Sequence, residues 1–545
     1  MTGAGEPRKS YPGRRPGWLL AAVGATALLG CSGAGSTGAR PEPGTTAGPV
    51  GATATPTTTP TTSSVPATTP ATGATSAGPD TSATLPDAPS AAAPTVPVLP
   101  ADTAAGPIVL HAYGIDGAPL DYDRFAAIET NGVGRDGVDD ALVDPTTLQI
   151  LALAPLYGDD QGRLVLDRPA GPAALSLAWP TTLGYSTLII DLPAPGTYVF
   201  NVLAAEQAVA DATRWNAAAP TGGAAEFSGL VDQATAALAD ARRLVPTDEV
   251  AAARAADRAL DSAVRAALLP RWPRRSGPDV IKSVTIDRAD ADPAVWPTIA
   301  ALAGDRAAWA RIVFDPDQPA STYRPLVDAA HAAGVKVLGQ ILDSSAMAGV
   351  PLPTFRERVD AYLAALPDLD GWEVGNEVNG TWLGPDVTEK IAYAARAVKE
   401  RTSARTMLTL YWQLGEDTEA GSMFTWAAAN LTPAIVADLD DVSVSMWVEE
   451  HPMGIAFDRV FATLAARFPG KRLLIGELGY GNDDLSHLWW WGDATDRTGA
   501  GRIAVAHTNL TVALDRPWIA GGGFWWYYLE DAFPANALRA ELADR

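Results

Sequence analysis

WARIVFDPDQPASTYRPLVDAAHAAGVKVLGQILD (309–343) holds a complete strand–helix–strand unit. WARIVFD (309–315) and KVLGQILD (336–343) are short apolar runs rich in β-branched residues, each ending on an aspartate. Between them STYRPLVDAAHAAGV has the three-to-four-residue spacing of apolar positions that marks an amphipathic helix. A helical crossover of this length joins parallel neighbours. The same alternation continues in both directions. Further strand candidates are KSVTID (282–287), GWEVGNE (371–377), TMLTLYW (406–412), DVSVSMW (441–447), RLLIGE (472–477) and GGGFWWYY (521–528). Eight strands with helical stretches between them, from about 277 to 545, predict a (β/α)8 barrel. No GxGxxG or GxxxxGK[ST] motif follows any of these strands, which argues against nucleotide chemistry.

Upstream of the barrel the texture changes three times. RLVLDRP, ALSLAWP, STLIIDLP and GTYVFNVLAA are short β-rich runs bounded by Pro, Gly or Asp, and they predict a small antiparallel β-sandwich over 105–203. Ala-rich amphipathic segments at 204–218, 226–244 and 247–268 predict a helical connector over 204–276. Trp179 and Tyr185 offer a possible sugar platform in the sandwich, but a single Trp before Pro favours a core position. Asp136, Asp139 and Asp140 lack the alternation of a calcium loop and read as a solvated turn.

Residues 31–104 are nearly all Gly, Ser, Thr, Ala and Pro, a composition that cannot bury enough apolar surface to fold and acts as a semi-extended spacer. Before it, Arg8, Lys9, Arg14 and Arg15 precede an apolar run from Trp18 to Leu29, the layout of a secretory signal over 1–30. Leu28-Leu29-Gly30-Cys31 resembles the lipobox of bacterial lipoproteins, which implies acylation at Cys31 and an N-terminal lipid anchor on the outer face of the membrane, or secretion if cleavage falls elsewhere. Cys31 is the single cysteine, so no disulfide closes within the chain. A formal charge of −23 argues against nucleic acid as a partner. The five histidines show no metal-ligand spacing, and neither a metal nor another cofactor is expected.

Function in such barrels sits at the C-terminal ends of the strands. Those ends offer Arg311 and Asp315, Asp343, Asn376-Glu377, Tyr411-Trp412, Trp447 with Glu449, Glu450 and His451, Glu477 with Tyr480, and Trp525, Trp526 and Tyr527. Carboxylates and aromatic rings therefore crowd one rim. Breaking a glycosidic bond takes one carboxylic acid to protonate the departing oxygen and a second carboxylate to attack the anomeric carbon or activate water. Aromatic faces stack on sugar rings. The chain has 17 Trp, and Trp489, Trp490 and Trp491 stand in the long loop after the seventh strand.

GWEVGNEVNG (371–380) and LLIGELGYG (473–481) resemble the fourth- and seventh-strand signatures of clan A retaining glycoside hydrolases. The resemblance spans about 277–545 and implies that Glu377 is the acid/base and Glu477 the nucleophile. It further implies that Asn376 binds the sugar 2-hydroxyl, that Arg311 orients an ionised Glu477, and that Trp526, or failing it Trp525, floors the subsite at the cleaved sugar. The clan commonly places a Tyr or His on strand six beside the nucleophile. Here the stretch reads SVSMWVEEH, which leaves Trp447, His451 or Tyr411 to fill that place. The expected substrate is an envelope or extracellular polysaccharide or glycoside. Two alternatives stay open on these residues: a non-catalytic carbohydrate-binding surface lipoprotein, which would not need both glutamates, and a transglycosylase, which shares every catalytic residue. A barrel isomerase or aldolase would want a lysine at a strand end, and none stands there.

Overall fold

The computed structural model describes residues 104–129, 140–218, 225–273, 275–415, 418–448, 451–480 and 500–545. The signal-like run, Cys31, the spacer up to 103, Asp136, Asp139, Glu449, Glu450, His487 and Trp489–Trp491 lie outside these residues.

The β-rich region forms two sheets. In the first, Gly106–Tyr113 pairs antiparallel with Leu164–Arg168 and with Pro119–Leu120, and parallel with Gly196–Val199; Leu156–Gly158 forms the far edge. The second runs Ile150–Leu153, Ala141–Val143, Ala174–Thr181, Gly184–Asp191, all antiparallel. The first sheet is thus mixed rather than purely antiparallel. The cause lies in the run read as a strand over GTYVFNVLAA. Only Gly196–Val199 is extended, and a helix (Phe200–Ala218) starts at Phe200. Phe200, Ala204, Ala208 and Ala212 are buried at a spacing of four, a helical stripe that wins over the local β-propensity. Trp179 is a core residue, its ring 5.0 Å from Phe125 and 4.7 Å from Phe200. Asp140 is buried rather than solvated, and its Oδ2 accepts the Leu156 N–H at 2.9 Å. Helices Ala225–Leu244 and Glu249–Leu268 complete the connector.

The eight expected barrel strands are all present and in order: β1 (Gly277–Ile286), β2 (Arg306–Val313), β3 (Lys336–Gln340), β4 (Gly371–Gly375), β5 (Arg405–Tyr411), β6 (Asp441–Trp447), β7 (Arg472–Gly479) and β8 (Ile519–Trp525). Every adjacent pair is parallel, and β8 closes on β1. Alternation sorts the side chains. On β2, Ala308, Ala310 and Ile312 pack outward with the helices, while Trp309 joins Ile281, Leu338, Met407, Leu474, Ala520 and Phe524 in a separate apolar plug. Above that plug the waist is polar: Arg311, Glu373, Thr409 and Ser443 are all buried and bonded to one another.

Strand β8 is irregular for a stated reason. Gly521, Gly522 and Gly523 all have positive φ (95°, 100° and 78°), and β-carbons at the first two would overlap the carbonyl oxygens of Ile281 and Ile475. Neighbouring strand backbones come that close only because glycine stands here. The resulting register shifts re-aim the side chains at the end of the strand.

The sandwich and connector are fastened to the barrel by polar contacts. Ser186 Oγ accepts the Ile455 N–H at 2.8 Å, and the Thr187 N–H donates to the Pro452 carbonyl at 3.2 Å. Arg459, buried in the helix after β6, donates to Ile189 O (3.0 Å), Pro145 O (2.8 Å) and Asp191 Oδ1 (2.8 Å). Just past the last connector helix, Arg271 pairs with Asp458, whose other oxygen accepts from Arg516 Nε at 3.0 Å; all three side chains are buried.

Candidate active site

Strand β4 ends at Gly375, and the chain then turns so that both Asn376 and Glu377 face the barrel mouth. Glu377 adopts φ 49°, the left-handed region that side-chain-bearing residues avoid, so backbone strain accompanies its placement. Three donors converge on its carboxyl group: Ser344 Oγ (2.8 Å) in the short helix beyond β3, and Ser445 Oγ (2.7 Å) and Trp447 Nε1 (3.3 Å) on β6. Glu377 is only 3% exposed. Burial pushes its pKa up to about 7, against the pull of Ser445 and Ser344, with nearby Asp343 adding to the rise.

Glu477, near the end of β7, is also buried, at 6% exposure. Arg311 Nη1 stands 2.9 Å from its Oε2, and Asn376 Nδ2 donates to the same oxygen at 3.4 Å. Asn376 is itself fixed, since its Oδ1 accepts the Ser344 N–H at 3.1 Å. The expectation that Arg311 simply keeps Glu477 ionised needs correction. Burial pushes the Glu477 carboxyl well above 4.5; Arg311 pulls it down, while Glu377, Asp343 and Glu373 all push it up. The guanidinium is not dedicated to Glu477, because its Nε donates to Glu373 Oε2 at 2.7 Å. Glu377 and Glu477 are therefore a coupled pair that holds a proton more tightly than ordinary carboxylates do.

The aromatic residues divide. Trp526 is half-buried, with its ring 5.3 Å from the Arg311 guanidinium carbon, beside the pair. Trp525 faces away: it is fully buried in the outer core and its indole N–H donates to Asp531 at 3.4 Å, so it does not serve as an alternative floor. Trp447 contacts Glu377 rather than Glu477 and lies 5.9 Å, edge-on, from Tyr527. Tyr411 is buried edge-on between Trp382 (5.3 Å) and His451 (5.4 Å). Tyr480 is buried with its ring over Gly501, at the start of the helix Ala500–Asp515. Asp315 stands at the end of β2, where its carboxylate accepts the Asp317 N–H at 2.8 Å.

Reading strand ends alone misses Glu373, Ser344, Ser443 and Ser445. Three of them were findable from alternation. In GWEVG, Trp372 and Val374 pack outward, which leaves Glu373 pointing in; in DVSVSMW, Val442, Val444 and Met446 pack outward, which leaves Ser443 and Ser445 inside. Ser344 lies beyond β3, in a short helix capped by Asp343, and carries no comparable signal.

No family model and no curated protein matches the chain. Among solved structures it is similar to a GH10 xylanase from Bispora. sp MEY-1, with 14% identity, TM-score 0.33, 45% of this chain and 82% of that one covered. It is also similar to a GH113 β-1,4-mannanase, with 12% identity, TM-score 0.34 and coverage of 50% and 98%. A β-glucuronidase from Bacteroides uniformis is likewise similar, with 16% identity and TM-score 0.33, and there the match covers 47% of this chain but only 32% of the other. The barrel is established by its own strand pairing, and likenesses this distant add nothing to it.

Proposed function

We propose that this protein is a retaining glycoside hydrolase that acts on an envelope or extracellular polysaccharide or glycoside. The observation that carries the reading is the placement of two buried carboxyl groups at the ends of β4 and β7, with Asn376 and the Arg311 guanidinium both on Glu477. Double displacement needs one proton and one negative charge on such a pair. The raised proton affinity supplies the first. The direct Arg311 contact favours Glu477 as the seat of the second.

In the first step Glu477 attacks the anomeric carbon while Glu377 protonates the departing oxygen. The glycosyl–enzyme ester forms as the C–O bond to the leaving group breaks. In the second step Glu377, now a carboxylate, takes a proton from water, whose oxygen displaces Glu477 and restores the starting state. Trp526, over Arg311, offers an aromatic face to the sugar at this position. On the sequence reading of Cys31 and the spacer, the enzyme works outside the cell at the end of a lipid tether.

The test uses the full chain, a panel of aryl glycosides and polysaccharides, and 2-deoxy-2-fluoro glycosides of each hydrolysed sugar. The reading expects a covalent adduct on the peptide bearing Glu477 and retention of anomeric configuration in the first-formed product. Hydrolysis with inversion, or an adduct on another residue, would overturn it.

A further inference from the structure

We infer that Glu373, acting through Arg311, is a positioning residue that sets both the direction of the guanidinium and the charge it can lend to Glu477. Its catalytic consequence rests on the double-displacement reading; its electrostatic consequence does not.

The geometry is a relay across the barrel waist. Glu373 is 1% exposed and stands on β4, opposite Arg311 on β2, also 1% exposed. Its Oε2 accepts from Arg311 Nε at 2.7 Å, and its Oε1 accepts from the Thr409 hydroxyl on β5. Thr409 Oγ1 in turn lies 2.7 Å from Ser443 Oγ on β6. Both oxygens of Glu373 are thus tied to other strands, one to adjacent β5 and one to β2 beyond β3, and the carboxylate cannot rotate without breaking one of these bonds. A guanidinium anchored through Nε has its two Nη groups fixed in the plane beyond, and Nη1 is the one that reaches Glu477, at 2.9 Å. Arg311 alone could swing; Arg311 held by Glu373 presents one edge to the nucleophile.

The charge balance makes the second half of the case. Four acidic groups face this one cation: Glu373 and Glu477 in contact, with Asp343 and Glu377 close by. A cation shared between two carboxylates stabilises each less than it would one. Glu373 therefore raises the proton affinity of Glu477, in the same direction as burial, Glu377 and Asp343. A nucleophile with a full guanidinium to itself would be more fully ionised and a weaker attacker. Glu373 sets the point between those extremes.

The experiment compares wild type, Glu373→Gln and Glu373→Leu in the full chain. Gln keeps an acceptor for Arg311 Nε and can donate to Thr409, but removes the charge. Selective carboxyl ¹³C labelling of glutamate, with Glu477 assigned from Glu477→Gln, reads the titration without any substrate. Glu477 is expected to titrate on the order of one pH unit lower in Glu373→Gln than in wild type. The acidic limb of kcat/KM should move down with it, while KM changes little. Glu373→Leu, which loses the anchor as well, should lose about 100-fold in kcat, with Glu373→Gln restoring most of it. An unmoved or upward Glu477 titration in Glu373→Gln overturns the inference, whatever the turnover. A downward titration shift in Glu373→Gln, together with a wild-type chain that cleaves no glycoside, upholds the coupling and sinks the enzymatic reading instead.

Discussion

Replacing Glu377 by Gln isolates the free energy stored at the proposed acid/base position. Glutamine has the same shape and stays neutral at every pH. In the wild type, burial lifts the carboxyl from 4.5 to about 7. The folded state then holds this proton across a pH range in which the unfolded chain has released it, so stability falls as pH rises. The stabilising effect of the bound proton is fully present below 4.5 and lost by the time pH has passed through about 7. At about 1.36 kcal/mol per tenfold change in proton affinity, the loss comes to about 3 kcal/mol. The side chain is buried, so solvent screening does not reduce this figure appreciably. Urea unfolding of both proteins between pH 4.5 and 8.5 measures it. Glu377→Gln should match wild type at the acid end and exceed it by about 3 kcal/mol at pH 8. Because Glu477 also loses a like-charged neighbour in the variant, the gap should widen rather than shrink from coupling. Parallel stability curves over this range would mean that Glu377 titrates as an ordinary surface carboxylate, and the reasoning about its burial would fail.

Other changes should have distinct signatures. Glu477→Gln should lower kcat on the order of 10⁴-fold while leaving the circular dichroism spectrum intact, as stopped assays on any hydrolysed aryl glycoside would show. Ser445→Ala removes a donor that favours the charged form of Glu377, so the basic limb of the pH–rate profile should rise by up to about one pH unit. Gly522→Ala forces a β-carbon into the Ile475 carbonyl at a φ of 100°, and should cost about 3 kcal/mol or more in chemical denaturation. Asp458→Ala leaves Arg271 and Arg516 buried without their shared anion; a loss of about 3–5 kcal/mol should appear as a lowered Tm.

The barrel was legible because its signal is repeated. Eight runs of alternating apolar residues, separated by helical periods, survive an error in any one of them, and the ends of β4 and β7 follow from counting. What escaped the sequence is of two kinds. Some of it depends on pairing partners far along the chain. Gly196–Val199 is locally a strand, but its parallel partner is Gly106–Tyr113, and nothing in either run states that direction. The rest depends on burial of charge. Glu373 reads as one more strand residue until alternation is followed inward, and only its contact with Arg311 reveals that the guanidinium is shared. Burial is the main reason that Glu477 departs from the simple ionised state expected for it, and Glu377, Asp343 and Glu373 add to the rise. Trp525 and Trp526 are adjacent in sequence and indistinguishable in composition, yet the end of an irregular β8 sends one into the outer core and the other to the mouth.

The charged waist also governs how the barrel can close. A strand slipped by one residue exchanges its two faces. Were β2 to slip, Ala310 or Ile312 would enter the lumen and Arg311 would be thrust among the helices, stranded from Glu373 and Glu477 alike. A buried guanidinium without a carboxylate is far costlier than a misplaced methyl group. A lumen filled only with aliphatic side chains would tolerate neighbouring alignments at small penalty; this one rejects them. The polar side chains of the waist thus act as the key that admits a single alignment, and assembly errors are excluded by the same ion pairs that hold Glu477.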